Sequence, residues 1–283
     1  MEAGQPSFTA MIHASMRAEH ATRHQPPIYS DTLSVELVPE EVLALIEERL
    51  SMFTQAALDA LWLMAVIRHR VFAGRLDSAY ERGVRQFVIL GAGLDTTGFQ
   101  LPKGAESWSV FEVDHPATQE WKRRRIAEVG WEVPANLVFA PCDFERDDLL
   151  NALGAVGFQR DHPAIVSWFG VVTYLTVEAT TATLGDLATL ARGSEVTFTY
   201  SEPPDLSDEV VREFWEKAKP IAAAAGESFI GYYTEEEMDA LVRRAGFTQI
   251  EHHPIEQLDE LYFRGRSDGL RLCPIERLLT ATL

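Results

Sequence analysis

The sequence predicts an α/β protein: a doubly wound, mostly parallel sheet preceded by a helical cap. Three observations predict it. Phe87-Val88-Ile89-Leu90 is an unbroken apolar run of β-formers, as a parallel strand covered on both faces requires. It stops at Gly91-Ala92-Gly93, where two glycines let the backbone turn sharply and let a ligand approach with no Cβ in the way. A second apolar run, Trp108 to Val113, ends in Asp114, 21 residues after Gly93. An acid at that strand tip, about 20 residues past the glycines, is placed to accept the ribose hydroxyls of a bound nucleoside.

The residues before the first strand read as helix throughout. Phe8, Met11, Ile12 and Met16 fall at helical spacing until Gln25-Pro26-Pro27 breaks the run. Pro39-Glu40-Glu41 opens a second helix, with proline in the first turn and acids at the positive end of the dipole. Ala56 to Arg70 carries a third apolar face, and Gly83 stops the segment after 77–82. From Phe87 on, strands and helices alternate, which implies right-handed crossovers between parallel strands. Strands are expected at 87–90, 108–113, 137–140, 164–168, 196–200 and 248–252. Helices are expected at 116–129, 147–153, 177–191, 208–225 and 235–245, the last opened by a Thr234/Glu237 capping box and closed by Gly246. The organisation is therefore a helical cap over 1–82 and a nucleoside-binding domain over 83–283. Residues 201–231 break the strand rhythm as an insertion over the site.

Bulk properties narrow the partners. The 283 residues are 46% hydrophobic and 24% charged, ordinary values for a chain with a full core. A formal charge of −18 disfavours nucleic acid, whose binding needs a basic stripe. The run Lys122-Arg123-Arg124-Arg125 reads as a solvated helix face. Two cysteines, Cys142 and Cys273, make no disulfide framework and lack metal-ligand spacing, so the expected compartment is the reducing cytoplasm. Met1 to Gln5 lacks the features of a secretory signal, and no stretch has the length of a membrane span. His20 and His24 have the spacing of a metal pair but no third ligand, and are expected at the surface. Trp62, Trp121, Trp168 and Trp215 read as core.

In an open parallel sheet, ligands bind beyond the carboxyl ends of the strands. Those exits carry Asp114-His115-Pro116 after the second strand, Asp143-Phe144 after the third, and Phe169 to Tyr174 after the fourth. Asp143 is suited to an adenine amino group, with Phe144 against the ring, and the plainer reading of either acid is a helix N-cap. The glycine turn lacks the third glycine of the dinucleotide fingerprint, since Thr96-Thr97 follow and Gly98 comes late. That departure disfavours a pyrophosphate on a helix N-terminus and favours a phosphate-free nucleoside, of which S-adenosyl-L-methionine is the common one. A nicotinamide-dependent oxidoreductase remains the alternative on the same glycines and acid.

Three segments, Val88 to Thr96, Phe111 to Pro116 and Ser167 to Thr176, resemble the leucine carboxyl methyltransferase family, and within it the bacterial small-molecule O-methyltransferases similar to polyketide carboxyl methyltransferases. Met16 to Glu19, Arg68 and Tyr262 to Arg266 extend the likeness over most of the chain. The resemblance implies a seven-stranded, Rossmann-like methyltransferase sheet and S-adenosyl-L-methionine as cofactor. It implies that Gly91, Ala92 and Gly93 line its methionine part, Asp114 beside His115 holds the ribose, and Asp143 with Phe144 meets the adenine. Arg68 matches an arginine that reaches the cofactor's carboxylate, Arg17 a basic residue of the cap, and Tyr174 a tyrosine on the acceptor side. Phe169 stands where some members carry a Glu on the methionine side, which leaves a member that binds cofactor without methylating as a further alternative.

Methyl transfer from a sulfonium demands alignment more than acid–base help. A carboxylate acceptor is ionised at neutral pH and needs only a clamp, for which Arg17, Tyr174 and Arg264 are the candidates. A phenol or alcohol would need a base, for which His115 is the candidate, although its place between Asp114 and Pro116 suits a cap. The expected function is O-methylation of a small carboxylic acid in secondary metabolism, with the N-terminal helices closing over the acceptor.

Overall fold

The computed structural model describes residues 7–101 and 105–283; Met1 to Gln5, read above for a secretory signal, lie outside them. Three helices come first: α1 (Phe8–Arg23), α2 (Glu40–Leu50) and α3 (Gln55–Glu81). Ser7 and Thr54 cap α1 and α3 by accepting from the backbone N–H groups of Ala10 and Ala57. The strands β1 (Gln86–Leu90), β2 (Ser109–Asp114), β3 (Leu137–Pro141), β4 (Ala164–Trp168), β5 (Glu195–Tyr200), β6 (Gln249–His252) and β7 (Arg277–Thr282) follow. Between them run α4 (Pro116–Glu128), α5 (Leu149–Ala155), α6 (Val177–Leu187), α7 (Glu209–Ala224), α8 (Glu235–Ala245) and α9 (Ile255–Tyr262).

The seven strands form one sheet in the order β3-β2-β1-β4-β5-β7-β6. Strands β1 to β5 pair in parallel, and β7 lies antiparallel between β5 and β6. The order reverses beside β1, so the exits of β1 and β4 diverge and open a crevice there. All five residues of β1 are buried. Val88 and Leu90 pack with Phe111, Val113 and Trp168 on one face, while Phe87 and Ile89 pack with Phe72, Leu76 and Trp108 on the other. Each such side chain contributes about 1.5–3 kcal/mol when fully buried, and that rigid centre positions the glycine turn.

Three sequence expectations change. The third helix runs unbroken to Glu81 through Gly74, because Phe72, Leu76 and Ala79 pack against β1 and override glycine's weak helix propensity. So α3 belongs to cap and sheet alike. Lys122 is not part of a solvated face: it is 1% exposed, its ammonium 2.6 Å from Glu112 Oε2 and 2.6 Å from Asp95 O. His20 is fully buried, its Nε2 accepting from Ile28 N–H at 3.0 Å, and its ring lies 4.8 Å from that of His24. Strand β7 and helix α9 carry no sequence signal strong enough to predict them from the residues. The interior of the cap joins Met11, Met16, Ile46, Phe53, Leu61 and Met64 to Val211, Phe214 and Trp215 of α7. The segment 201–231 thereby supplies part of the same helical roof. Cys142 and Cys273 are free thiols, and no helix among the described residues is long and apolar enough to cross a membrane.

Candidate functional site

A cavity of about 390 Å³ opens beyond the carboxyl ends of β1 to β4, roofed by α1 and α3. The structure brings every site residue expected from the sequence to its wall, with the exception of Arg264. That arginine is exposed and pairs with Glu260, so it is no clamp.

The floor is the turn after β1. Gly91 and Gly93 have φ of 63° and 46°, values that side chains rarely adopt. A Cβ on Gly91 would run into Val171 Cγ2, and one on Gly93 would lie 2.9 Å from Ala10 Cβ. The turn thus threads between the β4 exit and α1. Asp114 holds it: one carboxylate oxygen accepts from Gly93 N–H and the other from His115 N–H at 2.6 Å. Each oxygen keeps a lone pair for a ligand hydroxyl. Burial raises the pKa of Asp114, and these two backbone bonds and the charge of Lys122 pull it back.

His115 caps α4, its Nδ1 accepting from Ala117 N–H at 3.2 Å. Its ring proton is therefore on Nε2, which faces Asp143 Oδ2 at 3.9 Å. Asp143 also closes the next turn by accepting from Glu145 N–H at 3.1 Å, and Phe144 packs toward Trp168 with ring centroids 6.5 Å apart.

The opposite wall comes from α1, α3 and β4. Arg68 Nη1 meets Glu276 Oε2 at 3.0 Å, and its Nη2 donates to His13 Nδ1 at 3.2 Å. An arginine has only donors, so the His13 ring proton sits on Nε2. Burial, with Arg68 and Arg17 nearby, lowers the His13 pKa well below 6.5 and keeps the ring neutral. Arg68 Nε is buried without a partner. The Arg68 guanidinium also lies 6.0 Å from the ring of Phe169, whose other neighbours are Phe72 and His69. Gly170 (φ 68°) lets β4 pass this close, since a Cβ there would stand 3.0 Å from Arg68 Nη1.

Arg17 is 4% exposed, with Nε 2.8 Å from Asp31 Oδ2 and Nη2 2.8 Å from Leu94 O. It ties α1 to the glycine turn and keeps its Nη1 donors. His69 has both ring nitrogens met by oxygens, Ala65 O at 3.0 Å and Asp95 Oδ2 at 3.2 Å. Burial alone would raise Asp95; His69, Arg17 and Thr97 override it and hold the carboxyl far below its usual range. Tyr174 stacks on Phe229 at 5.1 Å, and burial raises its pKa above 10, so the phenol stays a neutral donor. Glu227, 8% exposed, accepts from Thr9 N–H at 3.1 Å and joins the end of α7 to the start of α1.

Sequence reasoning missed His13, Asp31, His69, Asp95, Glu227 and Glu276. His13 stands one turn before Arg17 on the same helix face, a signal that was there to find. Glu227 and Glu276 had none. The arrangement fits S-adenosyl-L-methionine: the glycine turn leaves room a Cβ would fill, Asp114 has lone pairs for ribose hydroxyls, and the orphaned Arg68 Nε suits a carboxylate.

The chain is similar to several known proteins. The sequence profile described as leucine carboxyl methyltransferase matches residues 10–188. YktD of Bacillus subtilis (strain 168), named for S-adenosyl-L-methionine-dependent methyl transfer, is 28% identical over 291 residues, spanning 95% of both chains. A Mycobacterium sp. (strain JLS) protein named for the same activity is 36% identical over 148 residues, 52% of this chain and 47% of its own. A crystal structure from Thermobifida fusca YX, titled as a methyltransferase, superposes with a TM-score of 0.62 at 16% identity, over 99% of this chain and 96% of that one, and shares the fold. The match over residues 10–188 selects methyl transfer over the hydride-transfer alternative. The chain belongs to the leucine carboxyl methyltransferase family and is an S-adenosyl-L-methionine-dependent methyltransferase.

Proposed function

We propose that the chain methylates an oxygen of a small-molecule carboxylic acid. One observation carries this reading: no histidine on the cavity wall has a lone pair free to take a proton. His13 Nδ1 is used by Arg68, His115 Nδ1 by Ala117 N–H, and both nitrogens of His69 by oxygens. Histidine is the commonest base for a phenol or alcohol acceptor, whereas a carboxylate arrives ionised and needs none. The family's description points the same way.

The cofactor supplies an activated methyl group. Asp114 would hold its ribose, Asp143 and Phe144 its adenine, and the Gly91-Ala92-Gly93 turn would line its methionine part, with Arg68 on the carboxylate. Phe169 replaces a polar contact there with an apolar wall, and the guanidinium beside it supplies the polar one. Tyr174 O–H and the spare N–H groups of Arg17 hold the acceptor carboxylate. An ionised oxygen held there would accept the methyl group that the cofactor supplies, with no proton for the protein to move. Helices α1 and α7, joined through Glu227, close over the acceptor and exclude water, a role that gives the cap over 1–82 and the insertion over 201–231 one purpose. The acceptor belongs to secondary metabolism by the resemblance to polyketide carboxyl methyltransferases, and the two free thiols accord with a cytoplasmic setting.

The test is transfer of labelled methyl from S-adenosyl-L-methionine to panels of carboxylic acids, phenols and alcohols, followed by mild alkali. Methyl esters release the label as methanol. Label that survives alkali overturns the carboxylate reading, and absence of any turnover favours a member that binds cofactor without methylating.

A further inference from the structure

A smaller cavity of about 50 Å³ lies beside the first. The two share Thr9, His13, Gly170 and Tyr174, which form a neck between them. Methyl transfer requires the acceptor oxygen in line and within about 3–3.5 Å of the methyl carbon, so the reacting group stands at the neck. Whatever that group is attached to extends into the smaller cavity. Its wall is apolar and aromatic, built from Phe53, Leu61 and Met64 on the side of α2 and α3 and from Phe214, Trp215 and Phe229 on the side of α7. The last three form a cluster of edge-on rings, with Trp215 centroids 5.1 Å from Phe214 and 5.0 Å from Phe229. A ring entering beside them extends that edge-to-face packing. The single charged side chain on this wall, Glu276, is already answered by Arg68 at 3.0 Å. A second charge on the acceptor would be desolvated there without a partner. Thr173 also lines the cavity and its buried hydroxyl has no partner, which leaves a place for one neutral hydrogen-bonding atom.

We infer that this smaller cavity is the acceptor-tail subsite, and that the acceptor is a compact monocarboxylic acid with an uncharged, ring-bearing body. The carboxylate rests on the function proposed above; the nature of the tail rests on the pocket alone.

The experiment uses the full chain saturated with S-adenosylhomocysteine and reads both calorimetric binding and, with the methyl donor, label transfer. The probes are phenylacetate, succinate, gluconate and 4-methylphenol. Phenylacetate is expected to bind, and succinate and gluconate to bind at least about tenfold more weakly, the discrimination that mismatched groups in an apolar pocket produce. Ala218→Phe, which fills the cavity from α7, is expected to weaken phenylacetate by about tenfold or more while S-adenosylhomocysteine affinity stays within about twofold. The inference is overturned by succinate or gluconate binding as well as phenylacetate, by Ala218→Phe leaving phenylacetate unaffected, or by no probe binding at all. Label transfer to 4-methylphenol but not to phenylacetate overturns the carboxylate reading and leaves the tail subsite standing. Transfer to gluconate but not phenylacetate does the reverse.

Discussion

Two walls face each other across the cavity, and they are built in opposite ways. The strand-tip wall is made of short, consecutive segments, each delivered by one strand, and its donors are backbone N–H groups: Gly93 and His115 to the Asp114 carboxylate, Ala92 to Val113 O at 3.0 Å. The helical wall is assembled from α1, α3, the end of α7 and the start of β7, and it is stitched by buried side-chain charges, Arg17 with Asp31 and Arg68 with Glu276. A backbone wall suits a ligand that does not vary, and a side-chain wall can be re-cut for a different acceptor without disturbing the sheet.

Five measurements sharpen or break that contrast. Gly91→Val has the largest expected effect, since φ of 63° and the collision with Val171 leave no unstrained solution. S-adenosylhomocysteine affinity should fall by more than about 100-fold; calorimetry that finds binding near the parent's would mean the ligand does not lie on this wall. Arg17→Gln comes next. It leaves Asp31 buried without its charge partner, and breaking such a pair costs about 3–5 kcal/mol. Urea denaturation should show that loss, softened by the bonds Asp31 retains to Thr96, Gln100 and Ser34. Parental stability would show that Arg17 is not needed to hold the roof. Deletion of residues 1–30 also removes Arg17, together with the whole of α1. Met11, Ile12 and Met16 are core residues, so the truncated chain is expected to lose stability along with transfer.

Asp114→Asn should cost about 1.5–3 kcal/mol of cofactor affinity, the worth of hydrogen bonds to a charged acceptor, with little change in acceptor KM. A shift in acceptor KM of the same size would merge the two walls into one functional unit. The smallest expected effect is that of pH. Burial puts the His13 transition below its ordinary value, so that ring is already neutral above about pH 7. Burial puts the Tyr174 transition above 10, so the phenol keeps its proton up to at least about pH 10. The rate at saturating substrate should therefore be flat from about pH 7 to about pH 9, and a limb rising through about pH 6.5–8 would reveal a histidine base and a hydroxyl acceptor.

The strand-tip wall was legible from the sequence because each of its parts is local. A buried parallel strand announces itself as four apolar residues, its exit as glycines, and the acid on the next strand tip by its distance along the chain. The limits of local reading show at Lys122. In sequence it is one of four basic residues on a helix, and only the approach of Glu112 and the Asp95 carbonyl makes it a buried strut. His20 differs for the same reason, being covered by the turn at Ile28. Strand β7 was silent because its pattern is ordinary and its place between β5 and β6 depends on pairing with residues far away in the chain.

The sequence by itself determined strands β1 to β6, the glycine turn after β1 and the acid 21 residues beyond it, because these depend on residues within a strand and its exit. Tertiary structure alone decided the helical wall. The joining of α1 to α7 through Glu227, the pairing of Arg68 with Glu276 across 208 residues, and the closing of Phe214, Trp215 and Phe229 around a pocket all arise from contacts with no local signature. Burial then set which nitrogens could donate and which could accept, and with them the chemistry the cavity can host.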